Sequence, residues 1–117
     1  MDKLSSLLYL LDTKLAENIR ILDVRKRCFF TDYFILLTAK NIRHLKSLLT
    51  LSEAELSKYT HHFHHEGDDH STWLLLDAHG FIVHFFLAES REMYHLESLW
   101  ADCPSYTLEE FIRLNNN

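Results

Sequence analysis

The spacing of leucine residues predicts two amphipathic helices in the first half of the chain. Leucines recur every three or four positions over about residues 3–17, which places them on one side of a first helix: Leu4, Leu7, Leu8, Leu11 and Leu15. A second helix is predicted from Asn41, a favourable N-cap, to about residue 58. Its apolar side chains show the same spacing: Leu45, Leu48, Leu49 and Leu56.

Alternating and continuous apolar runs predict the strands of a sheet. Residues 19–24 alternate in part, and a second strand over about 31–38 contains an unbroken apolar run at 33–37. Such a run is typical of a strand buried on both faces, hence central in its sheet. Trp73–Asp77 and Phe81–Leu87 are separated by a short connection and predict a hairpin. Residues 61–66 are predicted as a further short strand, followed by a polar loop at 67–69.

The end of the chain predicts two more helices. Ser90 is placed to cap a third helix, and Pro104 ends that segment. Thr107 and Glu110 have the spacing of a capping box for a short last helix, and residues 115–117 should fray. The third helix carries its apolar side chains at Met93, Tyr94, Leu96, Leu99 and Trp100.

This order of elements predicts an α/β (α+β) fold with a mixed sheet of about five strands flanked by helices. The helix between the second and third strands provides the crossover that parallel neighbours require. We expect one globular domain over residues 1–104, followed by a C-terminal helical extension and frayed tail over 105–117.

The register of the predicted hairpin decides which of its side chains share a face. Side chains along each strand point alternately to the two faces of the hairpin. An even number of loop residues gives one purely apolar face and one mixed face, whereas an odd number mixes these two groups of side chains. The mixed face then carries Trp73, Leu75, Asp77, Ile82, His84 and Phe86. Two interpretations stay open: a core with two satisfied polar groups, or a partly open surface whose aromatic side chains anchor a partner.

Composition and charge remove several classes of function. With 12 Lys and Arg against 17 Asp and Glu, the net charge is −5, which suits a basic partner better than a nucleic acid. Gly67 and Gly80 stand too far apart to form a phosphate-binding loop. Two cysteines are too few for a disulfide scaffold, and neither a signal peptide nor a membrane-spanning run is recognisable. We therefore expect a cytoplasmic protein.

Short motifs follow one another along residues 3–102 in a specific order. The first half contributes Leu-Asp-Val-Arg at 22–25, Thr-Asp-Tyr-Phe at 31–34 and Arg-His at 43–44. The second half contributes Glu-Gly at 66–67, Trp-Leu-Leu-Leu-Asp at 73–77, Val-His at 83–84 and Arg-Glu-Met-Tyr-His-Leu-Glu-Ser-Leu-Trp at 91–100. Together they resemble the ribosome silencing factor family (RsfS, also called Iojap-like). The chain departs from the family at 38–39, where Thr-Ala replaces Thr-Gly, and at 79–80, where His-Gly replaces Gly-Asp.

The resemblance implies a regulator of translation that has neither catalytic activity nor a cofactor. Family members bind ribosomal protein fourteen of the large subunit on the surface that faces the small subunit, and so block subunit joining when nutrients are scarce. Their fold is similar to that of nucleotidyltransferases without the catalytic residues, and they are commonly homodimers. The implied partners are therefore that ribosomal protein and a second copy of the chain. The residues implied at the partner surface are Trp73, Leu75, Asp77, His84, Phe86, Arg91 and Tyr94.

A histidine-rich tract raises the alternative of a metal-binding protein. In a strand only two of its histidines fall on each face, which is short of the four ligands of a structural zinc site. Asp68, Asp69 or His70 would have to fold back to complete one, and we assign no metal. The tract comprises His61, His62, His64 and His65.

A nucleotidyltransferase-fold enzyme or nucleotide-binding protein is the other alternative. It needs a Gly-Ser turn and two aspartates in D-x-D spacing to hold Mg²⁺, whereas Asp23, Asp32 and Asp77 are isolated. Cys28 follows Arg27, and a neighbouring cation can lower the pKa of a thiol. A lone cysteine beside a strand is nevertheless more often structural than catalytic, so no catalytic residue is assigned. The basic residues 25–27 form either a solvated turn or a contact with ribosomal RNA.

Overall fold

The computed structural model describes residues 2–115 and shows a mixed sheet flanked by helices, as the order of elements predicts, with six strands where about five are predicted. The helices are α1 (Lys3–Thr13), α2 (Ile42–Leu56), α3 (Ala88–Tyr94), α4 (Leu96–Leu99) and α5 (Leu108–Asn115). The strands are β1 (Glu17–Asp23), β2 (Tyr33–Ala39), β3 (His64–Glu66), β4 (Trp73–Asp77), β5 (Phe81–Leu87) and β6 (Ser105–Thr107).

Strand β2 lies inside the sheet, which confirms its predicted central position. The spatial order is β3-β4-β5-β2-β1-β6. Strand β2 pairs antiparallel with β1 and parallel with β5, and all other pairs are antiparallel. The parallel pair requires the chain to cross over, and α2 makes that crossover.

The first two helices begin at side-chain caps. Asp2 accepts a hydrogen bond from the Ser5 N–H at 2.8 Å, and Asn41 accepts one from the His44 N–H at 2.8 Å, as predicted for Asn41. Helix α1 ends earlier than the predicted residue 17, because Leu15 adopts a left-handed φ of 66° that a continuing helix does not allow.

The third helix differs from the prediction at both its start and its middle. Helix α3 begins at Ala88, directly after β5, so the prediction that Ser90 caps it was wrong. The Ser90 hydroxyl is buried and donates to Thr72 Oγ1 at 2.7 Å, outside the helix. His95 has a left-handed φ of 46° and divides the predicted helix into α3 and α4.

The prediction of five strands missed β6. Its three residues are too few to show an alternating pattern, and they become a strand only by pairing with β1, where Ile21 lies opposite Tyr106. The capping box that follows is confirmed: the Thr107 N–H donates to Glu110 Oε1 at 2.8 Å, and the Glu110 N–H donates to Thr107 Oγ1 at 3.1 Å. The division after residue 104 stays a prediction, and the predicted fraying falls mainly on residues 116–117, outside the described part.

The sheet has two faces with separate cores. The face that we call the closed face packs against α1, α2 and α5, and its buried side chains include Ile35, Leu37 and Phe85. The opposite face, the mixed face, has a smaller core next to α3 and α4, with Phe34, Leu36 and Phe86. Within residues 2–115 no helix has the length and hydropathy needed to cross a membrane.

Candidate functional site

The β4–β5 hairpin has the even register, and this creates the mixed face. Trp73 lies opposite Phe86, Leu75 opposite His84, and Asp77 opposite Ile82. The turn between the strands is closed by a hydrogen bond from the Ala78 N–H to the Phe81 carbonyl at 3.0 Å. His79 and Gly80 occupy its centre with φ values of 54° and 131°. This turn therefore sets the register and places all six predicted side chains on one face.

The mixed face consists of a covered section and an open section. The covered section lies over β5, β2 and β1, where Leu96 and Trp100 pack against the core; its buried side chains are Leu22, Phe34, Leu36, Ile82, His84 and Phe86. The open section lies over β3 and β4, where side chains are half-buried or exposed: His64, Glu66, Trp73, Leu75 and Asp77. The open section is the part that a partner can reach.

Trp73 is the largest side chain of the open section, and three neighbours surround it. Its indole stacks on Phe86 with ring centroids 5.0 Å apart and lies 4.8 Å from the ring of Tyr94. Its Nε1–H donates to His84 Nδ1 at 3.1 Å. Trp73 is thus anchored from below while part of the indole faces solvent, an arrangement typical of binding hot spots.

His84 lies beneath Trp73 in the covered section. Its ring packs edge-on against Phe34 with centroids 5.3 Å apart, and its Nε2 is buried without a hydrogen-bond partner among the described residues. Burial lowers the pKa of His84 to about 4 from an ordinary value of 6.5. The imidazole is therefore neutral at neutral pH.

Arg91 ties helix α3 to the sheet. One guanidinium nitrogen donates to the Asn18 carbonyl at 2.7 Å and to Thr38 Oγ1 at 3.0 Å, and the other contacts Glu97 at 3.3 Å. The side chain is only 12% exposed. Arg91 holds α3 in place and offers little surface to a partner.

The structure brings four of the seven predicted partner residues to an accessible position. Trp73, Leu75 and Asp77 are half-buried, and Tyr94 is 53% exposed. The Asp77 carboxylate also accepts a hydrogen bond from the His79 N–H at 2.9 Å. His84 and Phe86 are buried, and the Arg91 side chain is only 12% exposed, so these three are not at an accessible position.

Sequence analysis missed the exposure of two apolar side chains on the segment that crosses the mixed face. Met93 is 75% exposed and Leu99 is 66% exposed, although both fit the apolar spacing of one continuous helix. The break at His95 rotates the residues after it, so that Trp100 packs on Phe34 with centroids 5.0 Å apart while Leu99 faces solvent. No periodicity in the sequence signals that rotation.

The histidine-rich tract does not form a metal centre in the described part of the chain, where no three His, Cys, Asp or Glu side chains converge. His65 points towards α2 and contacts Glu53 Oε2 through Nδ1 at 2.7 Å. His64 lies on the other side of β3, with its ring 6.1 Å from that of His79. Pairing in the sheet thus separates the two neighbouring histidines.

The basic turn at 25–27 is largely neutralised by internal ion pairs. Arg25 binds Asp23 with a nitrogen–oxygen distance of 2.7 Å. Arg27 binds Asp102, donates to the Leu99 carbonyl at 3.0 Å, and lies over the ring of Trp100. Arg27 therefore holds the turn against the end of α4, whereas Arg25 is paired within β1 and the turn itself.

Comparison with known proteins places these features in a family context. The family model described as "Ribosomal silencing factor during starvation" matches residues 1–117. The chain is 30% identical over 105 residues to the ribosomal silencing factor RsfS of Bacillus subtilis, covering 84% of each protein. It is 33% identical over 92 residues to the RsfS of Haemophilus influenzae, covering 78% of this chain and 90% of that protein.

Two further similarities concern an organelle protein and a solved structure. The chain is 31% identical over 101 residues, or 80% of its length, to the mouse mitochondrial assembly of ribosomal large subunit protein 1, of which it spans 43%. The crystal structure of a protein from Chromobacterium violaceum is similar with a TM-score of 0.79 at 25% identity, covering 86% of this chain and 88% of that one.

Proposed function

Because this chain belongs to the ribosomal silencing factor family, we propose that it represses translation by binding the large ribosomal subunit and blocking its association with the small subunit. The proposed target is ribosomal protein fourteen, the partner that the family resemblance implies. The name of the mouse relative also refers to the large ribosomal subunit. Repression under nutrient limitation agrees with the description of the family.

The open section of the mixed face is the observation that carries this proposal. It presents Trp73 and Leu75 as apolar anchors, with the carboxylates of Asp77 and Glu66 on the same side of the sheet. An apolar centre with acidic groups beside it complements a basic protein surface. The net charge of −5 favours the same kind of partner.

Blocking of subunit association requires only a stable contact and sufficient bulk. The protein measures 38 × 33 × 25 Å along its principal axes. Two ribosomal subunits must approach to hydrogen-bond distance to join, so a body of this thickness on the joining surface keeps them apart. No chemical step is needed, and we propose that the chain is not an enzyme.

Three secondary features complete the proposal. Adjacent ribosomal RNA would be contacted through the basic turn, where Lys26 is exposed while its two neighbouring arginines are engaged in ion pairs.

We also propose a homodimer in the absence of the ribosome, measurable by sedimentation equilibrium. A cytoplasmic location is supported by the bacterial relatives, of which this chain covers 84% and 90%.

The direct test is co-sedimentation with isolated ribosomal subunits, followed by a subunit-joining assay using light scattering. We expect the protein to sediment with large and not with small subunits, and to slow joining in proportion to its concentration. Sedimentation with neither subunit contradicts the proposal. Binding to the large subunit without slower joining would instead favour a role in assembly, as the name of the mouse relative suggests.

A residue-level test separates the mixed face from the rest of the surface. Trp73→Ala and Asp77→Ala should weaken binding to large subunits, by about tenfold or more for Trp73, with circular dichroism unchanged. Tyr59→Ala is the matched control, because Tyr59 is an exposed aromatic residue beyond the end of α2, on the closed-face side. Normal binding by both mixed-face variants would show that another face binds the ribosome.

A further inference from the structure

Among the described residues the side chain of His84 makes one hydrogen bond, and the geometry of that bond defines the state of the ring. An indole N–H can only donate, so the His84 Nδ1 that lies 3.1 Å from Trp73 Nε1 must accept. The ring proton is therefore on Nε2. A doubly protonated imidazolium would have no acceptor left and would release the indole.

A histidine is a costly residue at this position. Its Nε2–H is buried with no partner among the described residues, and a buried donor without a partner destabilises the folded state. A leucine of similar size would fill the space between Phe34 and Phe86 without that cost. Stability of the fold therefore does not explain why this residue is a histidine, whereas its bond to Trp73 does.

Trp73 needs such a bond to keep one orientation. Phe86 stacks on its ring with centroids 5.0 Å apart, and Tyr94 lies against it at a tilt with centroids 4.8 Å apart. Stacking between rings restricts tilt, but it allows the indole to slide or turn within its plane, because such contacts are weakly directional. The hydrogen bond to His84 adds a directional restraint at one defined atom.

We propose that His84 is a positioning residue that holds the indole of Trp73 in one orientation and takes up its only hydrogen-bond donor, so that the partner meets this ring with aliphatic or cationic side chains. This inference rests on the function proposed above, in which the mixed face binds the ribosome. With its N–H engaged, the exposed part of the indole offers only ring carbons, which aliphatic side chains and the alkyl stems of lysine and arginine can contact. The carboxylates of Asp77 and Glu66 on the same section favour the positive charge of lysine and arginine.

Pre-orientation improves binding because the partner need not immobilise a mobile side chain. Freezing one such side chain on binding costs about 0.5–1.5 kcal/mol, which corresponds to about two- to tenfold in affinity. His84→Leu should therefore weaken binding to isolated large subunits by about three- to tenfold, while the melting temperature stays equal or rises. In His84→Asn the side-chain oxygen replaces Nδ1 as acceptor, and binding should stay within about twofold of the original protein.

A double-mutant cycle removes the contribution of general packing. Trp73→Phe keeps an aromatic ring but has no N–H to hold, so adding His84→Leu in that background should change binding less than about twofold. An equal loss in both backgrounds would overturn the proposal. The proposal would also be overturned if His84→Leu melted at so low a temperature that unfolding alone explained its weaker binding.

The orientation of Trp73 can also be measured without the ribosome. In the Trp100→Phe background the single remaining tryptophan is Trp73, since the chain has two. Time-resolved fluorescence anisotropy should show a fast local motion of the indole in His84→Leu and none in His84→Asn. Failure to bind subunits contradicts the proposed function alone, whereas an immobile indole in His84→Leu contradicts the role of His84.

Discussion

The closed face and the mixed face of the sheet differ in how completely helices cover them. Helices α1, α2 and α5 cover most of the closed face, and its buried core includes side chains from these three helices and from β1, β2, β4 and β5. Helices α3 and α4 cover only part of the mixed face and leave β3 and β4 accessible. Stability is therefore concentrated on one face, and the other can present aromatic side chains without unfolding the domain.

The largest expected difference between the faces is at two neighbouring residues of β5. Phe85 and Phe86 are both fully buried and point to opposite faces. Phe85→Ala should lower the free energy of unfolding by about 3–5 kcal/mol, because the closed face cannot collapse into the cavity. Phe86→Ala should cost less, because Trp73 can settle into the space. Urea denaturation measures both, and an equal loss would show that the two faces are equally rigid.

The second prediction uses the buried histidine of the mixed face. The pKa of His84 is lowered to about 4 in the folded protein, against an ordinary value of 6.5. Between about pH 4 and 6.5 the unfolded chain therefore binds a proton at this histidine that the folded chain does not. The free energy of unfolding keeps its full value above about pH 6.5 and falls as the pH drops towards 4. The total decrease in the free energy of unfolding amounts to about 3 kcal/mol.

The contribution of His84 can be isolated from that of other titrating groups. Urea denaturation of the original protein and of His84→Leu should be compared at several pH values between about 7 and 4. The difference between the two proteins should grow as the pH falls. Parallel curves would contradict the neutral, buried state of this ring.

The third prediction compares two arginine–glutamate pairs. Arg91 pairs with Glu97 at 3.3 Å while nearly buried, and Arg113 pairs with Glu109 at 3.1 Å with both side chains exposed. Arg91→Ala should cost about 1–3 kcal/mol, because it removes the donor to the buried Thr38 hydroxyl and loosens α3. Arg113→Ala should cost less than about 0.5 kcal/mol, because exposed pairs are screened by solvent. Thermal unfolding of the two variants tests this contrast.

The last prediction compares an exposed tyrosine on each face, where only small changes in stability are expected. Tyr94 on the mixed-face side is 53% exposed, and Tyr59 beyond α2 is 44% exposed. Replacing either by alanine should alter the free energy of unfolding by less than about 1 kcal/mol. Only Tyr94→Ala should weaken binding to large subunits, by about tenfold, because it removes the contact with Trp73. If both variants bound large subunits equally well, the two faces would not differ in function.

Local sequence signals predicted the elements whose stabilising contacts lie close along the chain. Asn41 caps α2 through a residue three positions away, and Thr107 and Glu110 form a reciprocal cap within four residues. The unbroken apolar run at 33–37 predicted an internal strand, because burial on both faces needs apolar side chains on both. These features depend on neighbours that the sequence itself places together.

Elements that depend on distant partners were missed or misplaced. Strand β6 exists because Pro104 to Thr107 lie beside β1, more than 80 positions earlier in the chain. Ser90 has the residue type of an N-cap, but its hydroxyl is taken up by Thr72 and the helix begins two residues before it. A local preference of about 1 kcal/mol is easily outweighed by such contacts.

The sequence by itself determined the order of the elements except β6 and the break between α3 and α4, and it determined which side chains alternate along each hairpin strand, since these follow from spacing along a single chain. Its motifs also carried the resemblance to the family. Only the tertiary structure decided that the hairpin register is even, that α3 and α4 cover β1, β2 and β5 but leave β3 and β4 open, and that His84 lies beneath Trp73. The physical reason is that exposure depends on the path of a later segment across the sheet. That path is set by contacts such as Arg91 to Asn18 and Arg27 to Leu99, between residues more than 70 positions apart.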